Sequence, residues 1–215
     1  MRDVAVSLAV PAGCDDGPMP ERPPTSHEQR AGQSWDASYV GGPAPWDIDR
    51  PQPAFARLAE DGAFTGAVLD AGCGTGEHAL LLAARGLSVL GVDVAPTAIA
   101  RAREKATARG LDVEFQVGDA LHLSGAFDTV LDCGLFHTFD ADERRAYVAS
   151  LAAVTRGRLF VLCFGEADVP HPVPETELRA AFADGWHIAS LVPEVIVTRF
   201  APAGVPAWLA TIERR

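Results

Sequence analysis

The sequence predicts an α/β fold built on a doubly wound, mostly parallel sheet, and three observations carry that expectation. Short uninterrupted apolar runs recur along the chain, among them G-A-V-L-D-A (66–71), S-V-L-G-V-D (88–93) and R-L-F-V-L-C-F (158–164). Amphipathic segments of helical length separate them. A turn with three glycines in five residues, Gly72 to Gly76, joins the first run to the first of those segments. Strands apolar on both faces belong to parallel sheets covered by helices on each side. Such sheets bind ligands beyond the carboxyl ends of their strands, where this turn sits.

Taken in order, residues 1–33 are rich in Pro, Gly and charge and read as a disordered leader. Residues 34–215 form one domain, entered through W-D-A-S-Y-V-G-G-P-A-P-W-D (35–47), an ordered flap or short helix. A strand at 66–71 is followed by a helix from His78 to Arg85 and a strand at 88–93. Ala95 to Arg109 is a helix, with Pro96 in its first turn where proline is tolerated. V-E-F-Q-V (113–117) and F-D-T-V-L-D-C (127–133) are the third and fourth strands, Asp142 to Val154 a helix, and 158–164 the fifth strand. A helix at Glu175–Phe182 precedes two apolar runs, W-H-I-A-S-L-V and A-W-L-A-T-I-E-R, expected to form a hairpin at the sheet edge.

Composition narrows the partners. The chain has 215 residues, 48% apolar and 22% charged, as a globular domain with a real core does. A net charge of −11 opposes a nucleic acid partner, and no apolar run is long enough to span a bilayer. The opening V-A-V-S-L-A-V-P-A-G-C lacks a basic flank, since Arg2 is offset by Asp3, and Pro11 suits a signal cleavage site poorly. A cytoplasmic protein is expected. Cys14, Cys73, Cys133 and Cys163 form no C-x-x-C pair, so free thiols are expected and a zinc site is not. No cluster of carboxylates and amides marks a magnesium site, so no metal is expected.

The glycine turn reads D-x-G-x-G-x-G: Asp70, Gly72, Gly74, Gly76. In the dinucleotide fingerprint G-x-G-x-x-G the backbone approaches a pyrophosphate. Here the third glycine comes one residue early and an acid comes first. An acid costs affinity against phosphate and gains it against an ammonium, which S-adenosylmethionine carries. Asp93 ends the second strand, where a carboxylate accepts ribose hydroxyls, as in NAD enzymes too. Asp119 follows the third strand, placed to accept from an adenine amine or to cap a turn. Asp132 ends the fourth, facing the methionyl end or capping the next turn. Cys73, Val94 and Ala120 flank these groups and, with Trp46, complete the expected cofactor-binding set.

L-D-A-G-C-G-T-G, then G-V-D, then G-D-A resembles the motif series of class I S-adenosylmethionine-dependent methyltransferases, from about Trp35 to the end of the chain. P-W-D-I-D-R-P-Q-P (45–53) and L-D-C-G-L-F-H-T-F (131–139) resemble its small-molecule branch of thiopurine, halide/thiol and mycobacterial quinone or heterocycle methyltransferases. The resemblance implies a Rossmann-like sheet of seven strands with a C-terminal antiparallel hairpin. It also implies that residues 34–53 fold as a flap over the cofactor. Where that family carries a Pro-Gly-Gly turn before strand five, this chain has Thr155-Arg156-Gly157-Arg158.

Methyl transfer from a sulfonium is a direct displacement, in which positioning can supply ~7–11 kcal/mol. Trp46, Phe136 and Phe139 are candidates to steady the sulfonium, at ~0.5–2 kcal/mol each, with plain packing the competing role. Trp35, Phe136 and Phe139 are the candidate substrate contacts. His137 either takes a proton from the acceptor, or hydrogen-bonds a loop carbonyl or merely shapes the pocket. His171 and Glu166 lie in a loop placed to roof the substrate, while His27, His78, His122 and His187 read as structural or exposed. The leading expectation is methylation of a small phenolic or heterocyclic hydroxyl compound. A thiol or halide methyltransferase, a non-catalytic cofactor-binding module and an NAD-dependent dehydrogenase stand as alternatives.

Overall fold

The structure, a computed structural model, describes residues 22–165, 169 and 171–215. Residues 1–21, with Cys14, lie outside the described residues, as does Glu166. The rest of the expected leader is ordered, which corrects the expectation for residues 22–33. Thr25 and Glu28 form a capping box, each side chain accepting from the other's backbone N–H, and so start helix α1 (Ser26–Ala31). A 3-10 turn at Asp36–Tyr39 and helix α2 (Pro53–Glu60) follow. Helix α2 went unread because Pro53 served as a boundary, although proline suits a helix's first turn.

From there the elements alternate as expected: β1 (Ala67–Ala71), α3 (Glu77–Ala83), β2 (Ser88–Asp93), α4 (Pro96–Arg109), β3 (Glu114–Val117), β4 (Phe127–Cys133) and α5 (Ala141–Val154). Then come β5 (Thr155–Phe164), α6 (Glu175–Ala181), β6 (Trp186–Ile196) and β7 (Val205–Arg214). Strand β5 starts directly at Thr155, where the family turn was expected, and its pairing with β4 shifts register between Phe127 and Thr129. The sheet runs β3-β2-β1-β4-β5-β7-β6, parallel through β5, with β7 antiparallel to both neighbours. The C-terminal hairpin thus places its second strand inside the sheet and its first at the edge.

The pleat divides the core. On one face Val68, Leu131, Phe160 and Leu162 pack with Phe55, Leu80 and Ile99 from α2, α3 and α4. On the other, Leu69, Val130, Leu159 and Val161 pack with Tyr147, Leu151, Leu178 and Phe182 from α5 and α6. Among the described residues no helix is long and apolar enough to cross a membrane.

Gly76 joins the glycine turn to α3. It sits at φ 84°, and a Cβ there would lie 2.7 Å from Phe115 Cζ and 3.0 Å from Ala102 Cβ. Gly76→Ala therefore combines an unfavourable backbone conformation with overpacking. We expect Gly76→Ala to cost about 1–3 kcal/mol more in denaturant unfolding than Gly62→Ala, which shares the backbone strain of a positive φ but has open space around it.

Candidate active site

The strand order reverses between β1 and β4, and the loops after β1, β2, β4 and β5 surround a cavity of about 490 Å³ there. Its floor is the glycine turn, fixed from below by strand β2. The Gly72 and Cys73 N–H groups both donate to Val92 O, at 2.8 and 3.0 Å. Asp93 Oδ2 accepts from Gly74 N at 2.8 Å, while Oδ1 accepts from Ala95 N at 2.9 Å. Burial raises the Asp93 pKa, and these N–H donors offset part of that rise.

Residues 35–52 cover the floor. Asp36 accepts from Thr97 N at 2.7 Å and Thr97 Oγ1 at 3.0 Å, and Arg101 donates to the carbonyls of Gly42 and Tyr39. Thr75 Oγ1 donates to Asp47 Oδ2 at 2.9 Å. Lys105 joins Thr75, Glu77 and Asp49, which pins the segment to α3 and α4. Trp46 Nε1 donates to Tyr39 Oη at 3.0 Å, presenting both rings to the cavity.

Of the residues expected from sequence, Trp35, Trp46, Gly72, Cys73, Gly74, Asp93, Val94 and His137 line this cavity. Asp70, Gly76, Asp119, Ala120, Asp132, Phe136 and Phe139 do not. Asp132 is fully buried and caps the next turn: its oxygens accept from Leu135 N, Phe136 N and Tyr147 Oη. Burial lifts its pKa to about 6 against those donors. Asp119 caps the turn at Ala120–His122 through Leu121 N, and Ala120 packs in the core. Phe136 and Phe139 turn to the opposite face, against Phe182 and Tyr147, so their packing role prevails over a substrate contact.

His137 lines the cavity stacked on Phe164, ring centroids 4.2 Å apart. Its Nδ1 accepts from the Phe164 N–H at 3.3 Å, so the neutral ring carries its proton on Nε2. Burial, with positive charge from Arg144, pushes its pKa down to about 3. With Nδ1 taken by the Phe164 N–H, a backbone donor where a loop carbonyl was expected, the ring forms part of the cavity wall.

Sequence reasoning missed several lining residues. His27 stacks on Trp35 at 4.2 Å and meets His171 edge-on at 5.6 Å. Only the T-x-x-E capping box ahead of Trp35 could have signalled that helix. His78, read as structural, lines the cavity and accepts from Gln52 N at 3.1 Å. Tyr39, Arg50, Thr75, Leu135 and Phe164 are further wall residues that no motif signalled. Cys73, Cys133 and Cys163 are free thiols.

The site fits the ligand implied by the glycine spacing. A Cβ at Gly72 would lie 2.9 Å from Leu135 Cδ2, and one at Gly74 3.1 Å from Tyr39 Oη, so bare backbone faces the cavity. Beneath it Asp70 is fully buried; Oδ2 accepts from Ala79 N at 3.1 Å and Oδ1 has no partner. Burial first, then the neighbouring Asp93 and Asp132, lifts its pKa to about 8. Asp70 thus braces the start of α3 from beneath the cradle, while the carboxylate that reaches the cavity beside the bare backbone is Asp93.

The raised Asp70 value has a stability consequence. The native state holds a proton that the unfolded chain releases between the ordinary value of 3.8 and about 8, so stability falls as pH rises through that window. Asp70→Asn removes this slope. Unfolding measured from about pH 5 to about pH 8 should show the variant gaining on the wild type as pH rises.

The family described as "Methyltransferase domain" matches residues 68–157. The 2-heptyl-1-hydroxyquinolin-4(1H)-one methyltransferase of Mycobacteroides abscessus is 41% identical over 161 residues, 69% of this chain and 71% of that protein. A solved structure reported for the conversion of a disulfide bond into a thioacetal group during echinomycin biosynthesis superposes with a TM-score of 0.77 at 40% identity, covering 84% of this chain and 90% of the other. Magnesium protoporphyrin IX methyltransferase from Synechocystis PCC 6803, solved with bound S-adenosylmethionine, gives a TM-score of 0.64 at 28% identity over 75% of this chain and 76% of its own.

Proposed function

The chain belongs to the class I S-adenosylmethionine-dependent methyltransferases, enzymes that use that cofactor, and we propose that it methylates a hydroxyl oxygen of a small, flat aromatic or heteroaromatic acceptor. The observation carrying this reading is the cavity itself. One end is bare glycine backbone and carboxylate; the other is walled by Trp35 and Phe164, with histidine nitrogens and threonine hydroxyls among its few polar groups. Flat apolar walls with few polar atoms select a ring bearing a small number of heteroatoms. The relative named for a hydroxyquinolinone supports the same class.

When bound, the cofactor supplies an electrophilic methyl group on a sulfonium. Asp93, Val94, Cys73 and the Gly72–Gly74 backbone are assigned to holding it, with Trp46 and Tyr39 above. The remaining task of the chain is to align the acceptor and exclude water, which the covering segment 35–52 does by closing over the turn. His137 donates from Nε2 to the acceptor oxygen and so fixes its direction.

Methyl transfer should be sought by mass spectrometry over a panel of hydroxylated quinolines, simple phenols, thiols and amines. Methyl ethers from the hydroxyl compounds are the expected products. Methylation of thiols alone would replace this reading with methyl transfer to sulfur, which the neighbour from thioacetal biosynthesis favours. Binding of the cofactor without turnover of any acceptor would point to a non-catalytic module.

The role of His137 has its own test. With a donor and no base, the pH profile of kcat/KM lacks a limb at the ordinary histidine value near 6.5, and His137→Gln retains more activity than His137→Leu. A limb there, with both variants losing about 10²–10⁴-fold alike, would restore the base.

A further inference from the structure

The cavity is electrically divided. Its three carboxylates all lie on the glycine-turn side and are engaged there: Asp47 by Thr75, Glu77 by Lys105 and Arg109, Asp93 by Gly74 and Ala95. Near the ends of β4 and β5 the titratable wall residues, among those described, are instead His27, His137, His171 and Cys133, whose thiol burial keeps protonated. Helix α1 supplies His27 and also Arg30, whose Nη2 lies 3.4 Å from both ring nitrogens of His171. His27 Nδ1 is buried without a partner.

Taking the acceptor as the hydroxyl compound of the preceding section, we propose that it binds at this histidine end as its oxyanion, and that helix α1, through His27 and Arg30, is the specificity element selecting the ionised form. Among the described residues, the acids near that end are already committed. Glu28 pairs with Arg22 and accepts from the Thr25 and Trp35 N–H groups. Glu143 accepts from Ser26 N and Oγ, both at 2.6 Å, and from Asp140 N. Glu177 pairs with Arg144. Arg50 lines the cavity on the covering side and adds positive charge.

The titration of the histidines agrees. Burial lowers His27 and His171, and Arg30 lowers each further, with Glu28 and Glu143 opposing only at His27. A positive field that disfavours imidazolium favours a bound anion. An anionic acceptor also needs no base, in keeping with a His137 whose Nδ1 is occupied. In the reaction the oxyanion lone pair becomes the O–C bond, the former S–C pair stays on sulfur as a neutral thioether, and no proton moves.

The test uses the full chain saturated with S-adenosylhomocysteine and para-nitrophenol as the probe, whose phenolate absorbs at a wavelength of its own. We expect bound probe to ionise about one pKa unit below its solution value, about tenfold more phenolate at a given acidic pH. Arg30→Gln and His27→Phe, which keeps the stack on Trp35, should each lose most of that shift, and Arg30→Lys should keep it, with homocysteine-product affinity unchanged in all three. Ionisation of bound probe at or above its solution value, as desolvation alone produces, would overturn the proposal while methyl ether formation left the acceptor reading standing. If the probe neither binds nor is methylated and no hydroxyl compound yields an ether, the acceptor reading falls and this proposal with it.

Discussion

The carboxylate of Asp93 is bonded to two loops at once. One oxygen holds the Gly74 N–H of the glycine turn and the other holds the Ala95 N–H at the entry to α4. With Val92 O taking the Gly72 and Cys73 N–H groups, strand β2 fixes the shape of a turn that has no side chains to fix itself. The remaining elements follow from that turn. Its open backbone sets the cavity floor, Thr75 offers the hydroxyl to which Asp47 is bonded, and Glu77 gathers Lys105 and Arg109. Loss of this anchor would release floor and cover together, because both meet at residues 72–77.

The cover and the far wall use a different physics. Asp36 and Asp47 are bonded to the α4 and α3 side through short half-buried hydrogen bonds, and Asp49 through an ion pair with Lys105 at the surface, where such a pair is individually weak. The histidine end is instead held by ring stacking, His27 on Trp35 and His137 on Phe164, within buried surroundings. Glu143 links the two regimes. It completes the capping box of α5 and accepts from Ser26, so the start of one helix sets the position of another distant in sequence.

The sequence made the sheet readable because its strands are apolar on both faces, and β2 and β4 coincide with the runs 88–93 and 127–133. Asp93 was legible for the same reason: it ends the run as its one charged residue. Asp132 looked equivalent, yet its oxygens turn inward to cap residues 135 and 136, and nothing in L-D-C-G-L-F-H says which way a strand-end carboxylate will face. Phe136 and Phe139 failed likewise, because a 3-10 turn obeys neither the strand period nor the helix period. Helix α1 was hidden by the proline-rich composition around it. The state of His137 depends on one backbone N–H, from Phe164, which belongs to another strand.

The strand order also has a consequence for assembly. Strand β5, carrying fully buried Leu159 to Cys163, finds its outer partner only in β7, the last strand along the chain. Until residues 205–214 exist and pair, β5 presents an open edge of unpaired N–H and C=O groups beside a two-sided apolar core. Sheet completion is therefore a late, non-local event. Synthesis from the N-terminus therefore builds the glycine turn well before Ile196, Thr198 and Phe200, which line the cavity from the β6–β7 hairpin.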